Sequence, residues 1–132
     1  MILVDTSAWV EFLRATGSKT DRRLTELLER EAELATTDVV VMELLAGARD
    51  AANHDDLRRL LYGRCSFVAV EGPHDYEQAA AVYRGCRSAG VTVRKLTDCL
   101  IAVVAMRADI ALLHRDGDFD AIARHAPLRI TS

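Results

Sequence analysis

The sequence has few of the residues that mark a disulfide-rich or zinc-binding protein. Its three cysteines are odd in number and widely spaced, so they indicate neither a disulfide framework nor a Cys-x-x-Cys metal motif. None of its four histidines pairs with another at the i, i+4 spacing of helical zinc ligands. We therefore expect reduced, mostly buried thiols and histidines that are solvated or packed.

Long apolar runs and an excess of positive charge are also missing. No run reaches the roughly 20 residues that span a membrane, and the first residues lack a basic region and a cleavage site, so we expect a cytoplasmic protein. The formal net charge of −3 does not favour nucleic-acid binding by bulk attraction. Basic side chains along a groove beside bound cations would still allow it, although a scattered, solvated surface is the commoner arrangement. The candidates for such a groove are Arg14, Arg22, Arg23, Arg87, Arg94, Lys95, Arg107 and Arg115.

What is present fits one globular domain over residues 1–132. Half of the residues are hydrophobic (50%) and 28% are charged, which allows one substantial core but not two. Short apolar runs alternate with segments of helical periodicity, and this order predicts right-handed βαβ crossovers. We therefore predict an α/β fold, a three-layer α/β/α domain around a central, mostly parallel sheet.

The opening stretch predicts a strand that delivers a carboxylate. Met1 to Val4 is too short for a helix and suits a buried strand, which ends at Asp5. Thr6 or Ser7 is a plausible N-cap of the helix that follows. In an open parallel sheet, ligands bind beyond the carboxyl ends of the strands, so Asp5 is a candidate site residue. The alternative is that Asp5 only caps the helix.

A second apolar strand near the end of the chain repeats this arrangement. Residues 110–113 are fully apolar, and Asp116 and Asp118 follow shortly after them. If both strands belong to one parallel sheet, these carboxylates point into the same crevice as Asp5.

Two further acids lie on predicted helices. Asp38 can cap a helix that contains Glu43 among apolar neighbours, and Thr97 can cap a helix with Asp98 in its first turn. Taken alone, Glu43 suits a solvated flank and Asp98 suits an acid that interacts with the helix dipole.

Carboxylates that converge without cations repel one another, and a hard divalent cation relieves that repulsion. Oxygen ligands without histidine or cysteine indicate Mg²⁺ or Mn²⁺ rather than Zn²⁺. Such ions support hydrolysis of a phosphodiester without a protein nucleophile. The acids predicted to converge are Asp5, Glu43, Asp98, Asp116 and Asp118.

With these residues in place, the chain resembles the PIN-domain ribonucleases, and in particular the VapC-type toxins of toxin–antitoxin pairs. The resemblance extends along nearly the whole chain. It rests on residues 4–7, on residues 42–44 with Gly47, on residues 98–102 and on residues 114–119. It implies an endoribonuclease that depends on Mg²⁺ or Mn²⁺, a homodimer, and inhibition by a VapB antitoxin that blocks the site.

The resemblance also implies roles for individual residues. The four catalytic acids of the family fall on Asp5, Glu43, Asp98 and Asp116, and Asp118 competes with Asp116 for the fourth place. As hypotheses, Asp5 and Asp98 are the principal metal ligands, and Asp116 or Asp118 is a further one. Glu43 would orient the reacting water. The hydroxyl groups placed to hydrogen-bond these carboxylates are those of Thr6 and Ser7.

Two other functions compete with this interpretation. Haloacid-dehalogenase-like phosphatases also begin with a strand that ends in Asp, but they need a second acid two residues later, where this chain has Ser7. A non-catalytic interaction module would use exposed Trp9 or Phe12 as partner contacts, although an amphipathic first helix more naturally packs both into the core.

Overall fold

The computed structural model describes all residues from Met1 to Ser132. Seven helices and five short strands alternate along most of the chain. The strands are β1 (Ile2–Val4), β2 (Leu34–Thr36), β3 (Cys65–Phe67), β4 (Ala111–Leu113) and β5 (Ile130–Thr131). The helices are α1 (Thr6–Leu13), α2 (Lys19–Glu29), α3 (Asp38–Ala46), α4 (Ala51–Arg64), α5 (His74–Ser88), α6 (Leu96–Ala108) and α7 (Gly117–Ala123). None of the helices is long and apolar enough to cross a lipid bilayer.

The five strands form one sheet in the order β3-β2-β1-β4-β5, and every pair in it is parallel. This confirms the predicted α/β fold, with a sheet that is entirely rather than mostly parallel. β1 lies at its centre, where Leu3 is in register with Ala35 of β2 and with Leu112 of β4. Because neighbouring parallel strands end at the same edge, the residues after β1 and after β4 lie side by side.

The core explains why these segments adopt their structures. Leu3, Val4, Leu112 and Leu113 are buried in the two central strands, as expected for a sheet covered on both faces. Helix α6 is buried over Asp98–Ala105, so it has no polar face. The Trp9 side chain is fully buried and meets Phe12 edge to face, with ring centroids 6.0 Å apart. Trp9 is therefore a core residue and not an exposed partner contact.

The predicted N-cap of α1 was wrong by one or two residues. Asp5, rather than Thr6 or Ser7, caps this helix, because its carboxylate accepts a hydrogen bond from the Ser7 amide at 2.9 Å. The alternative considered for Asp5, a helix cap, thus describes its local role, while its position at the end of β1 also places it at the candidate site.

The predicted caps of α3 and α6 were also displaced. Thr37 is the N-cap of α3, and the Asp38 carboxylate instead accepts the amide of Val70 at 2.6 Å, which ties this helix to the segment after β3. Helix α6 begins at Leu96, so Thr97 lies within its first turn and does not cap it. Asp98 is in that first turn, as predicted.

A buried ion pair joins α5 to α6. The Asp75 side chain is fully buried and accepts three hydrogen bonds of 2.9–3.1 Å from the guanidinium of Arg107. Burial favours the neutral carboxyl, but the hydrogen bonds from Arg107 and the Glu71 amide outweigh it and lower the pKa of Asp75. The pair therefore stabilises the fold above the unfolded-state pKa of about 3.8, and this contribution is lost as the pH falls through the lower folded-state pKa.

Replacing Asp75 by asparagine should lower the free energy of unfolding by about 2–4 kcal/mol at pH 7, because the Arg107 charge then loses its partner. Urea denaturation of the variant measures this loss. Asp56→Asn is the matched control, since Asp56 pairs with Arg59 on the exposed surface of α4, where such a pair contributes about 0–1 kcal/mol. Equal losses in the two variants would contradict this account.

Candidate metal centre

Three carboxylates meet at the edge of the sheet where the central strands end. Asp98 belongs to the first turn of α6, Asp116 is the N-cap of α7 and Asp118 lies in the first turn of α7. One oxygen from each lies within 4.8 Å of the other two. Asp98 is 1% exposed, and the other two side chains are 14% exposed. The helices thus deliver acids from distant parts of the sequence to one small volume.

Asp5 lies near this group of three, since its charge acts on Asp98, and its carboxylate is held by hydrogen bonds. It is 3% exposed, and its carboxylate accepts hydrogen bonds from both the amide and the hydroxyl of Ser7. The same hydroxyl accepts the amide of Arg115 at 2.8 Å. Ser7 therefore ties the end of β1 to the end of β4 and fixes Asp5 beside the three acids, although Asp5 is not one of the trio within 4.8 Å.

Glu43 approaches from α3. Its Oε1 accepts a hydrogen bond from the Thr6 hydroxyl at 2.8 Å, and its Oε2 lies 4.0 Å from the ammonium of Lys95. The same ammonium lies 3.8 Å from Asp98 Oδ1. Lys95 therefore stands between Glu43 and Asp98, and all five predicted acids face one region.

The turn that carries Asp116 and Asp118 is ordered by local hydrogen bonds. The Asp116 carboxylate accepts the amide of Asp118 at 3.0 Å, and His114 Nδ1 accepts the amide of Asp116 at 2.9 Å. The His114 ring packs against Phe119, with centroids 5.2 Å apart. This histidine is a packed residue, and it shapes the turn that presents the acids.

A second cation covers the cluster. Arg94 donates from its amide and its guanidinium to Asp118, at 3.1 and 3.2 Å, and from the guanidinium to Asp116 at 2.9 Å. Hydrogen bonding to Asp118 is the main reason why the pKa of Arg94 is raised. The sequence placed Arg94 and Lys95 only among possible groove residues. Their adjacency to Asp98 along the chain was the available signal for a role at the acids.

Burial and mutual repulsion change the acidity of the deepest carboxylates. Burial, with the nearby charges of Asp5, Asp116 and Asp118, raises the pKa of Asp98 to about 7 even though Lys95 opposes the shift. Burial also raises the pKa of Asp5, with Glu43 adding to the effect and the hydrogen bonds from Ser7 opposing it. The hydrogen bonds from Ser7 and the charge of Lys95 thus do not fully offset the cost of ionising these two carboxylates.

The site fits a hard divalent cation. Asp98 Oδ2 is buried and has no hydrogen-bond partner, although a buried carboxylate oxygen normally has one. The surrounding donors are carboxylate oxygens, the ligands that Mg²⁺ and Mn²⁺ prefer. A cation held by Asp98, Asp116 and Asp118 would satisfy the orphan oxygen and relieve the repulsion.

Comparison with known proteins identifies the family. The family model described as the PIN domain matches residues 2–125. Ribonuclease VapC11 of Mycobacterium tuberculosis is 47% identical over 133 residues, a match that covers 100% of this chain and 98% of that protein. The chain belongs to the VapC family of PIN domains. Of the acids that the resemblance assigned to the catalytic site of this PIN domain, Asp98 and Asp116 lie in the group of three, together with Asp118.

Solved structures share the fold of this PIN domain at much lower sequence identity. VapBC2 from Rickettsia felis, bound to a promoter DNA fragment, aligns with a TM-score of 0.75 at 16% identity, covering 99% of this chain and 98% of that one. VapC20 of Mycobacterium tuberculosis, described as a toxin that cleaves the sarcin–ricin loop, aligns with a TM-score of 0.71 at 18% identity, covering 98% and 99%. The three-layer architecture is thus common to VapC proteins of diverged sequence.

Proposed function

We propose that this VapC-type PIN domain is the toxin of a type II toxin–antitoxin pair and hydrolyses RNA phosphodiester bonds with Mg²⁺, for which Mn²⁺ substitutes. The observation that carries the proposal is the partnerless, buried Asp98 oxygen within 4.8 Å of two further carboxylates. The 47% identity to a named ribonuclease over the full chain supports the same activity.

The contacts of each acid suggest its role in the reaction. Asp98, Asp116 and Asp118 would hold the cation, with Asp5 fixed beside them by Ser7. The bound ion would lower the pKa of water and stabilise charge on the phosphate oxygens. Glu43, whose Oε1 accepts a hydrogen bond from Thr6, would accept a hydrogen bond from the water that attacks phosphorus. As the water oxygen bonds to phosphorus, one ester P–O bond would break. The water would give up a proton to Glu43, and the leaving oxygen would take up one from solvent.

Arg94 and Lys95 would leave their carboxylate partners when a divalent ion and the RNA bind. Both now neutralise carboxylates that the proposal assigns to the metal centre, and both are exposed, at 72% and 53% of their side chains. Once a divalent ion supplies the positive charge, these side chains are free to contact the phosphate of the substrate.

Arg94→Gln should strengthen Mn²⁺ binding by about 3- to 10-fold, because Asp116 and Asp118 lose a competing cation. Isothermal titration calorimetry of the purified protein measures the change. Arg30→Gln is the control, since Arg30 is an exposed arginine at the end of α2 without an acidic partner. Weaker or unchanged binding in Arg94→Gln would show that Arg94 does not compete with the ion.

The activity itself is tested with purified, antitoxin-free protein. The protein is incubated with a pool of tRNA, rRNA and mRNA plus Mg²⁺ or Mn²⁺, and the cleaved ends are mapped against an Asp98→Ala control. Metal-dependent ends that the control lacks support the proposal. Hydrolysis of a small phosphomonoester without RNA cleavage would favour the phosphatase alternative instead, although Ser7 occupies the position where that class needs an acid and donates its hydroxyl to Asp5.

For partners, we propose a VapB-type antitoxin, a homodimer and a cytoplasmic location. Solved relatives of this fold include VapB–VapC complexes, such as VapBC-1 from nontypeable Haemophilus influenzae. Co-expression with a candidate VapB-type protein, followed by size-exclusion chromatography, tests both assemblies. Loss of RNA cleavage in the complex is the expected result if the antitoxin blocks the acids.

A further inference from the structure

A groove of about 430 Å³ runs between α1, α3 and α4 and opens next to the metal centre. Its floor is apolar and is formed by the side chains of Val10, Leu13, Leu44 and Leu57. The proposed chemistry uses Glu43 and Thr6 at one end of this groove and none of the four apolar side chains of its floor.

The groove and the acid cluster share a boundary. Thr6 and Glu43 line the groove, and the hydrogen bond of 2.8 Å between them forms the wall next to the acids. The other carboxylate oxygen of Glu43 reaches towards Lys95, which contacts Asp98. A chain whose phosphate lay at the acids would therefore continue directly into the groove.

Two arginines on the walls of the groove have no acidic partner. Arg14, at the end of α1, and Arg49, just before α4, are both exposed, and neither takes part in any ion pair of the protein. The amide of Arg49 donates to the Asn53 side chain at 3.1 Å, which fixes the backbone at that wall. Two exposed, unpaired cations beside an apolar floor suit a ligand that is anionic and partly apolar.

We propose that this groove binds the single-stranded RNA that flanks the scissile phosphodiester. Arg14 and Arg49 would contact successive phosphates, and the apolar floor would pack against sugar and base. This inference rests on the proposed function, which requires nucleotides on at least one side of the reacting phosphate. An acidic, apolar peptide is the competing occupant, but continuity with the proposed metal centre, where the reacting phosphate would lie, favours RNA.

The test is direct binding, which does not depend on cleavage. Fluorescence anisotropy with a labelled 12-nucleotide single-stranded RNA is measured in EDTA over a range of salt concentrations for the full chain and for Arg14→Gln, Arg49→Gln and the double variant. The double variant should bind at least about tenfold more weakly, as expected for lost charged hydrogen bonds to phosphate. The slope of log affinity against log salt should fall by about 1.4, or roughly 0.7 for each phosphate contact.

A matched control removes charge elsewhere. Arg84, on α5, is an exposed arginine that also lacks an acidic partner and does not line the groove. Arg84→Gln should leave the affinity within about twofold of the parent value and the salt slope within about 0.3, since Arg84 would make no phosphate contact. Thermal melts should show all variants folded, because the three side chains are exposed.

Cleavage kinetics separate this proposal from the proposed function. In the double variant, KM for a cleaved RNA should rise by about tenfold, while kcat stays within twofold, because the acids are untouched.

Unchanged anisotropy and KM in a protein that cleaves RNA would overturn the groove assignment alone. Loss of antitoxin binding without any effect on RNA would assign the groove to a protein partner and overturn the proposal. A parent protein that binds RNA through these arginines but never cleaves it would overturn the proposed function and leave the groove assignment standing.

Discussion

Replacing Asp98 by asparagine is expected to abolish RNA cleavage and, at the same time, to stabilise the metal-free protein. Cleavage should fall by at least about 100-fold, because the substitution removes the central carboxylate of the proposed metal centre. Stability should rise by roughly 1–2 kcal/mol at pH 8, a value reduced from the full pKa shift to allow for water and Lys95 near the site. The gain arises because a neutral amide avoids the cost of burying a charge and is not repelled by Asp5, Asp116 and Asp118.

The opposite signs make this variant informative. A general structural defect would lower both activity and stability, whereas loss of a ligand lowers the first and raises the second. Cleavage assays and urea denaturation at pH 8 in EDTA measure the two effects. Asp55→Asn, on the exposed surface of α4, should change neither. A destabilised Asp98→Asn protein would contradict the electrostatic description of the site.

The second large effect concerns pH and metal together. Without metal, the folded protein keeps a proton on Asp98 up to about pH 7, whereas the unfolded chain releases it near pH 3.8. In that window the folded state binds more protons than the unfolded state, so stability decreases as the pH rises. Mn²⁺ should reverse this trend, because it binds the ionised carboxylates. It should add about 2.7 kcal/mol at a concentration 100 times its Kd.

Thermal melts at pH 5.5 and pH 8, with EDTA or with Mn²⁺, measure both effects. We expect the stabilisation by Mn²⁺ to be larger at pH 8, since at pH 5.5 metal binding must first displace a proton from Asp98. In Asp98→Asn the stabilisation should be largely lost at both values. Equal stabilisation by Mn²⁺ at the two pH values in the parent protein would argue against Asp98 as a ligand.

The fold class could be predicted from the sequence because each buried strand is a short apolar run that can be recognised from neighbouring residues alone. The run that ends at Val4 and the run that ends at Leu113 both read as buried strands, and they pair with each other at the centre of the sheet. The exact starts of the helices were less predictable. Asp38 has the composition of a cap, yet its carboxylate binds the amide of Val70, a partner 32 residues away that no local pattern reveals.

The site was predictable to the extent that it follows from strand ends. Asp5 and Asp116 could be placed in one crevice from the parallel sheet alone, and the predicted helices made Glu43 and Asp98 candidates to join them. The family resemblance then assigned these four acids to catalytic places. The choice between Asp116 and Asp118 was left open, and the structure brings both close to Asp98. The positions of Arg94 and Lys95 depend on the path of the chain between α5 and α6, which sequence periodicity does not specify.

The single tryptophan provides a built-in optical reporter for these experiments. Trp9 is fully buried in α1, the helix that Asp5 caps, and its indole nitrogen has no hydrogen-bond partner. Its emission should therefore be that of an indole shielded from water and should shift to longer wavelength when the chain unfolds. Because the fluorophore sits one helical turn from Asp5, intensity changes during a Mn²⁺ titration would report occupancy without any added label.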